Sequence, residues 1–180
     1  MKNKKIVLGV TGSIAAYKAC DILRRLQEKG CQVSVVMTRE AEKFVSAMTF
    51  ANLSGGKVYG DMFEGQGTSW SMHHIMLAQE ADLVLIAPAT ANIIGKLAHG
   101  ISDDLLTCIA ITTKAPILIA PAMNTEMYKN PIVQENLAKL KKHKFKFVDP
   151  VKGKLACGTN DIGHLADIDE IVSAAIRSLK

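Results

Sequence analysis

Apolar and polar positions along this chain follow two alternating periods. Residues 6–10, Ile-Val-Leu-Gly-Val, form an unbroken apolar run of strand length, the pattern of a strand covered on both faces. Thr11-Gly12-Ser13 breaks the run. From residue 14 to 29 the apolar positions Ile14, Ala15, Ala19, Ile22, Leu23 and Leu26 recur at helical spacing, and Gly30 marks the stop. Residues 32–37 form a second strand, after which Thr38 is placed to cap a helix beginning near Glu40. Further strands are predicted over 82–87, 115–120 and 145–148, the first two running into Pro88 and Pro121. Helices are predicted over 90–97, 103–113, 130–142 and 167–179. Residues 54–71 are rich in glycine and polar side chains and read as an excursion from the core; 151–164 read as a glycine-containing loop.

Strands that alternate with helices imply an α/β fold. The expectation is a three-layer, Rossmann-like (flavodoxin-like) domain over 1–180, with a parallel sheet covered by helices on both faces. Ligands of such sheets bind beyond the carboxyl ends of the strands. That directs attention to Thr11-Gly12-Ser13, Thr38, residues 88–92 and residues 121–128. Aromatic residues make up only 5% of the chain, so the core must be built from aliphatic side chains. A domain of 180 residues has room for one core, and a deep active site would need completion by a neighbouring subunit.

Charge and cysteine usage narrow the function classes. The net charge of +5 suits nucleic acid and suits a small phosphorylated ligand equally well. Lys139, Lys141, Lys142, Lys144 and Lys146 cluster near a predicted helix C-terminus, where the dipole favours cations. No aromatic stacking set accompanies them, so they read as a solvated face and nucleic acid is not expected. Cys20, Cys31, Cys108 and Cys157 include no C-x-x-C pair, and no metal site is expected. The apolar run near the N-terminus is too short for a secretion signal, and no run reaches membrane-spanning length. A cytoplasmic protein with reduced thiols is expected.

Three groups of residues carry candidate chemistry. Gly9-Val10-Thr11-Gly12-Ser13-Ile14 joins a strand to a helix, where a glycine admits close backbone approach and the helix start attracts anions. It is neither a Walker A loop nor G-x-G-x-x-G, and a bare turn without a ligand fits the pattern as well. His73 and His74 each offer an imidazole that titrates near working pH, or a plain surface histidine. Asn124 follows a strand-ending proline and can grip a carboxylate or cap the next helical turn. Cys157 lies in a glycine-flanked loop, where a thiol can donate a proton. The other three cysteines sit in or beside apolar segments and read as inert.

Together, Thr11-Gly12-Ser13-Ile14-Ala15-Ala16, His74-Ile75, Ala87-Pro88-Ala89-Thr90-Ala91-Asn92, Pro121-Ala122-Met123-Asn124-Thr125-Glu126-Met127-Tyr128 and Lys154-Leu155-Ala156-Cys157-Gly158 resemble the homo-oligomeric flavin-containing cysteine decarboxylases. The resemblance runs from Ile6 to Ala166, and its P-x-M-N-x-x-M-[W/Y] segment is specific. It implies an FMN-bound domain assembled as trimers or trimer-based dodecamers, with the sites between subunits. Gly12, Ser13 and Ile14 would hold the FMN phosphate with Thr38 nearby. Thr90, Ala91, Asn92, Ile93 and Ala122 would line the flavin. His74 and Cys157 would be catalytic, while Asn124, Met127, Ala156 and Gly158 would meet the substrate. Residues 151–166 would form a flap over it.

The implied reaction is decarboxylation of 4′-phosphopantothenoyl-L-cysteine to 4′-phosphopantetheine in coenzyme A biosynthesis. It proceeds by transient thiol oxidation, loss of carbon dioxide and enethiol reduction, with the cofactor carrying the electronics. Peptidyl-cysteine decarboxylases share the flavin site but stop at the enethiol, so Cys157 speaks against that reading. A non-catalytic FMN-binding regulator is opposed by the presence of His74, Asn124 and Cys157 together. A flavodoxin-like carrier is opposed by the basic balance. In one place the chain departs from the pattern. Bacterial relatives often end this segment Gly-Arg-Met; here Gly163 aligns but His164 replaces the arginine. An imidazole cannot copy the guanidinium fork, so flap anchoring or phosphate contact is expected to differ.

Overall fold

The computed structural model describes residues 3–62, 72–154 and 160–179. In chain order the elements are β1 (Lys5–Val10), α1 (Lys18–Glu28), β2 (Gln32–Met37), α2 (Ala47–Ser54), β3 (Val58–Tyr59), α3 (His73–Glu80), β4 (Leu83–Ala89), α4 (Ala91–His99), α5 (Leu105–Thr112), β5 (Ile117–Pro121), α6 (Thr125–Lys129), α7 (Pro131–Lys142), β6 (Lys146–Phe147), β7 (Val151–Lys154), β8 (Asn160–His164) and α8 (Ile168–Ser178). Short 3₁₀ turns occupy Ile14–Tyr17 and Ala41–Lys43. Six strands form one parallel sheet in the order β3-β2-β1-β4-β5-β6, the order of a Rossmann sheet.

The unbroken apolar runs are explained by the two faces. Side chains alternate across a strand, so Ile6, Leu8 and Val10 of β1 join Leu83 and Leu85 of β4 on one side, beneath α1, α2 and α8. Val7, Val84, Ile86 and Ile119 point the other way, toward α3, α4, α5 and α7. Each fully buried aliphatic side chain contributes about 1.5–3 kcal/mol. Gly9 is part of this packing: a Cβ there would stand 2.5 Å from Leu106 Cδ1, so glycine lets α5 settle onto the sheet.

Helix ends follow the local sequence. Ser46, Thr90, Asn130 and Asp167 each cap a helix start, and Pro131 opens α7. Asp104 and Thr107 form a reciprocal capping box on α5. Gly100 takes a left-handed φ of 70° to end α4. No helix among the described residues is long and apolar enough to cross a membrane.

The structure departs from the sequence pattern at five places. Pro88 does not end its strand: β4 continues to Ala89 through a cis Ala87–Pro88 peptide, and the register to β5 shifts there. Thr38 caps only a 3₁₀ turn, and the helix proper starts at Ala47 under Ser46. The polar excursion contains β3, which pairs with β2 at Val35 and Val36. His73 and His74 open a helix, α3, whose weak apolar periodicity hid it. The stretch read as a loop over 151–164 contains an antiparallel pair, β7 and β8.

That pair has one steric keystone. Gly163 takes φ +129°, and a Cβ on it would stand 2.3 Å from the Met123 carbonyl oxygen. Gly163→Ala is therefore expected to destabilise the protein by about 1–3 kcal/mol. A domain of this size would then melt roughly 2–4 °C lower for each kcal/mol lost. A melting curve that matches the unmodified protein would refute this account of the glycine.

Candidate functional site

The strand order reverses between β1 and β4, and the turns leaving those two strands meet at their carboxyl ends. The Thr11 side chain is 1% exposed. Its hydroxyl donates to the Pro88 carbonyl at 2.7 Å and accepts from the Thr90 N–H at 3.1 Å. Thr90 in turn caps α4, accepting from the Ile93 N–H. Ser13 caps the 3₁₀ turn that runs into α1, accepting from the Ala15 N–H. Gly12 allows a third turn to close in: a Cβ there would lie 2.4 Å from Glu40 Cβ. Three predicted cofactor segments, at Gly12–Ser13, Thr38 and Thr90–Ile93, are thus gathered at one edge.

This edge has the donors and the apolar surface that an amphiphilic anion requires. Among the described residues the N–H groups of Gly12 and Ile14 have no partner. Ile14 and Tyr17 are 60% and 59% exposed beside them. Ile93 and Ala122 are buried, which leaves only their backbone for a ligand, whereas Asn92 is exposed and Ala91 half-buried.

A cavity of about 420 Å³ opens between the ends of β2 and β3 and the start of α5. Thr38 is the one predicted residue in its wall; Arg39, Asp61, Asp103, Asp104 and Leu105 line it too. Lys96 bridges two of these acids, at 2.8 Å to Asp103 and 3.0 Å to Asp104. Its ammonium holds the Asp103 carboxyl below the usual carboxylate range. Sequence reasoning missed Arg39, Asp61 and Lys96. The only signal for Lys96 was its spacing from the Asp-Asp pair, one turn beyond its own helix.

His74 sits half-buried in the first turn of α3. A helix that feeds a parallel strand runs antiparallel to it, so the start of α3 lies at the same carboxyl edge of the sheet. Next to it the His73 ring meets Tyr59 edge-on, with centroids 5.2 Å apart. Asn124 caps α6, its Oδ1 accepting from the Glu126 N–H at 2.8 Å. The cap and the functional reading of Asn124 therefore coexist in one exposed side chain, and Met127 is exposed one turn on.

The β7–β8 pair lies against this turn. The Met123 N–H donates to the Gly163 carbonyl at 3.0 Å, and the Thr125 hydroxyl to the Ile162 carbonyl at 2.7 Å. Lys129 pairs with Asp161 at 2.6 Å, and the hydrogen bond from Lys129 holds that carboxyl below its ordinary range. This exposed tie is present at neutral pH and is lost as pH falls through the depressed Asp161 value. Ala156, Cys157 and Gly158 lie outside the described residues. Burial pushes the thiols of Cys20, Cys31 and Cys108 up, which keeps them protonated.

Thr11→Val tests the clasp between the first two turns. It leaves the Thr90 N–H and the Pro88 carbonyl without their partner, at an expected cost of about 1–3 kcal/mol in urea unfolding. A stability equal to that of the unmodified protein would show that the hydroxyl is dispensable.

A Rossmann-ordered sheet with open backbone donors at its switch point defines a binder of phosphorylated nucleotide-like ligands. All 180 residues match the Flavoprotein family, and the chain belongs to that family. A probable phosphopantothenoylcysteine decarboxylase of Streptococcus mutans is 45% identical over 172 residues, covering 94% of this chain and 96% of that protein. The coenzyme A biosynthesis bifunctional protein CoaBC of Bacillus subtilis is also 45% identical, over 175 residues and 97% of this chain. The chain spans only 43% of that longer relative. Among solved structures, a cysteine-to-serine mutant of PPC decarboxylase complexed with pantothenoylaminoethenethiol superposes with a TM-score of 0.87. It is 31% identical, with 98% of this chain and 97% of that chain covered. The FMN-dependent cysteine decarboxylase SpaF gives a TM-score of 0.83 at 30% identity, with 98% of each chain covered.

Proposed function

We propose that this chain catalyses the FMN-dependent decarboxylation of 4′-phosphopantothenoyl-L-cysteine to 4′-phosphopantetheine, in the cytoplasm, as a step of coenzyme A biosynthesis. The observation that carries the reading is the likeness to the probable decarboxylase of Streptococcus mutans, which extends over nearly the full length of both chains. The residues at the switch point fit the cofactor: unpartnered backbone N–H groups at Gly12 and Ile14 suit its phosphate, and the apolar surface of Ile14 and Tyr17 suits its ring. FMN, when bound, supplies a two-electron acceptor and donor, so that a thiol-bearing substrate can lose carbon dioxide with no net oxidation.

The chain's own residues have separate tasks. Gly12, Ser13 and Ile14 hold the phosphate, with Thr38 beside them. Thr90, Ala91, Asn92, Ile93 and Ala122 form the wall of the cofactor site, the buried two through their backbone. Asn124 grips the substrate carboxylate with its amide, oriented by its cap on α6. His74 takes a proton or positions the carboxylate. Met127 packs against the substrate beside Ala156 and Gly158. Cys157 donates the proton that completes reduction of the enethiol. Residues 151–166 cover the substrate, and the domain is a single unit over 1–180. The functional unit is a homo-oligomer built on a trimer, with each site between two copies. Exposed Ile14, Tyr17 and Met127 support this, because they leave apolar surface at the site edge of a single chain.

A second reading, decarboxylation of a peptide's C-terminal cysteine, is favoured by the likeness to SpaF. One mass-spectrometric assay separates the two. Purified protein, expected to be yellow, is given phosphopantothenoylcysteine in one tube and a cysteine-terminated peptide in another. Loss of carbon dioxide and formation of the saturated thiol are expected in the first tube only. Turnover of the peptide alone would reverse the assignment, and colourless protein that takes up no FMN would remove both readings. Cys157→Ser should still release carbon dioxide but accumulate the enethiol, two hydrogens lighter than the normal product. Normal amounts of saturated thiol from this variant would show that another group gives the proton. His74→Asn is expected to lower kcat by roughly 10²–10⁴-fold, the usual contribution of a general acid or base.

A further inference from the structure

The β7–β8 pair is joined to the start of α1 by two side chains that have no task so far, Lys18 and His164. Three contacts fix the imidazole. Its Nδ1 stands 2.9 Å from the Leu165 carbonyl oxygen, which can only accept, so Nδ1 carries the ring proton. Nε2 is then a lone-pair acceptor, and the Lys18 ammonium donates to it at 3.2 Å. On a third side the ring lies over Gly153 of β7, where a Cβ would stand 3.2 Å from the ring's Cγ. Lys18 makes no ion pair with a carboxylate among the described residues, so a neutral histidine is its anchor.

The consequences follow from what lies on either side of this contact. Lys18 is the first residue of α1, directly after the 3₁₀ turn that carries Ser13 as its cap. His164 is the last residue of β8, directly after Ile162 and Gly163, whose carbonyls take the hydrogen bonds of Thr125 and Met123. The path from the Gly12–Ser13 turn to the Met123–Thr125 turn therefore runs through Lys18, His164 and the backbone of β8. We propose that Lys18 and His164 are a positioning pair: through β8 they set the distance between the cofactor turn and the turn that carries Asn124. This rests on the decarboxylase reading, in which Asn124 holds the substrate.

A neutral acceptor suits the task. A carboxylate at this point would neutralise Lys18 beside a turn that must receive a phosphate, whereas an imidazole fixes the ammonium and leaves its charge in place. The side chain is held at both nitrogens, so neither ring rotation nor a change of tautomer is available without breaking a bond.

The test uses the full-length, FMN-loaded protein and three variants, Lys18→Met, His164→Leu and His164→Gln. Nitrogen-15 spectra of the unmodified protein should show His164 protonated at Nδ1 and bare at Nε2; the opposite tautomer would overturn the pairing. Lys18→Met and His164→Leu are expected to lower kcat/KM for phosphopantothenoylcysteine roughly tenfold to a hundredfold, the scale for reacting groups misplaced by about an ångström. FMN content and melting temperature should stay close to those of the unmodified protein. His164→Gln retains an acceptor for Lys18 and should recover most of the loss, which a merely structural histidine would not predict. Hydrogen exchange at the Met123 amide should quicken in Lys18→Met and His164→Leu but not in His164→Gln. Unchanged exchange in all three variants overturns the proposal whether or not the protein turns the substrate over, and unmodified protein that is inactive on the substrate counts against the decarboxylase reading instead. Wild-type kcat/KM in both Lys18→Met and His164→Leu overturns the positioning role.

Discussion

The buried hydroxyl of Thr11 is the point on which the geometry of the site depends. It sits where the two halves of the sheet diverge and bonds both the carbonyl of Pro88 and the N–H of Thr90. Each such bond is worth only about 0.5–1.5 kcal/mol net, less than one buried leucine. The clasp therefore does little for stability compared with the aliphatic layers on either face. Its effect is positional. It fixes where the turn after β1 ends and where α4 begins, and those two points frame the binding edge.

The charge at that edge is not the charge that composition suggests. Lys139, Lys141 and Lys142 occupy the last turn of α7, where they serve the helix end, and Lys141 pairs with Asp149. The cavity beside Thr38 instead carries Asp61, Asp103 and Asp104 against Arg39, with Lys96 bridging two of the acids. Anion binding at the switch point is thus left to backbone N–H groups and helix starts, with Lys18 as a nearby cation, rather than to a basic surface. The net charge of +5 and the phosphorylated ligands are compatible, but one does not arise from the other.

Much of this was legible in the sequence, because parallel strands buried on both faces leave continuous apolar runs and their helices leave a clear periodicity. Four strands and the major helices stand close to where the pattern puts them. The losses have physical causes. Two-residue strands such as β3 and β6 give too short a signal to fix a boundary. α3 begins with two histidines and lacks an apolar stripe. The β7–β8 pair is built from Val, Lys, Gly and Asn, Asp, Ile, Gly, His, whose polar alternation reads as loop until the partner strand is seen. At the site, residue types were legible and roles only partly so. Asn124 reads equally as cap and as ligand group, and the structure gives it the cap. Thr11 was visible only as part of a turn, since nothing in a sequence marks a hydroxyl that reaches a residue 79 positions away. Cys157, the residue on which the full reaction turns, rests on the resemblance alone.

The chemistry itself explains why one chain would not suffice. A carbanion formed by loss of carbon dioxide survives only where water is kept away, and polar groups act strongly only in a dry site. A single copy places its binding residues along an open sheet edge, with Ile14, Tyr17 and Met127 each about half exposed or more. Closing that edge requires apolar surface from elsewhere. The β7–β8 pair can supply part of it, because it is bonded to α6 through Met123, Thr125 and Lys129 and to α1 through Lys18. The remainder, on the Ile14 and Tyr17 side, faces away from those bonds along the chain, and in the proposed trimer a neighbouring copy covers it. On this view the fold divides the work: each chain sets the positions of its reacting groups with a few buried or half-buried hydrogen bonds, and assembly provides the dry surroundings in which they act.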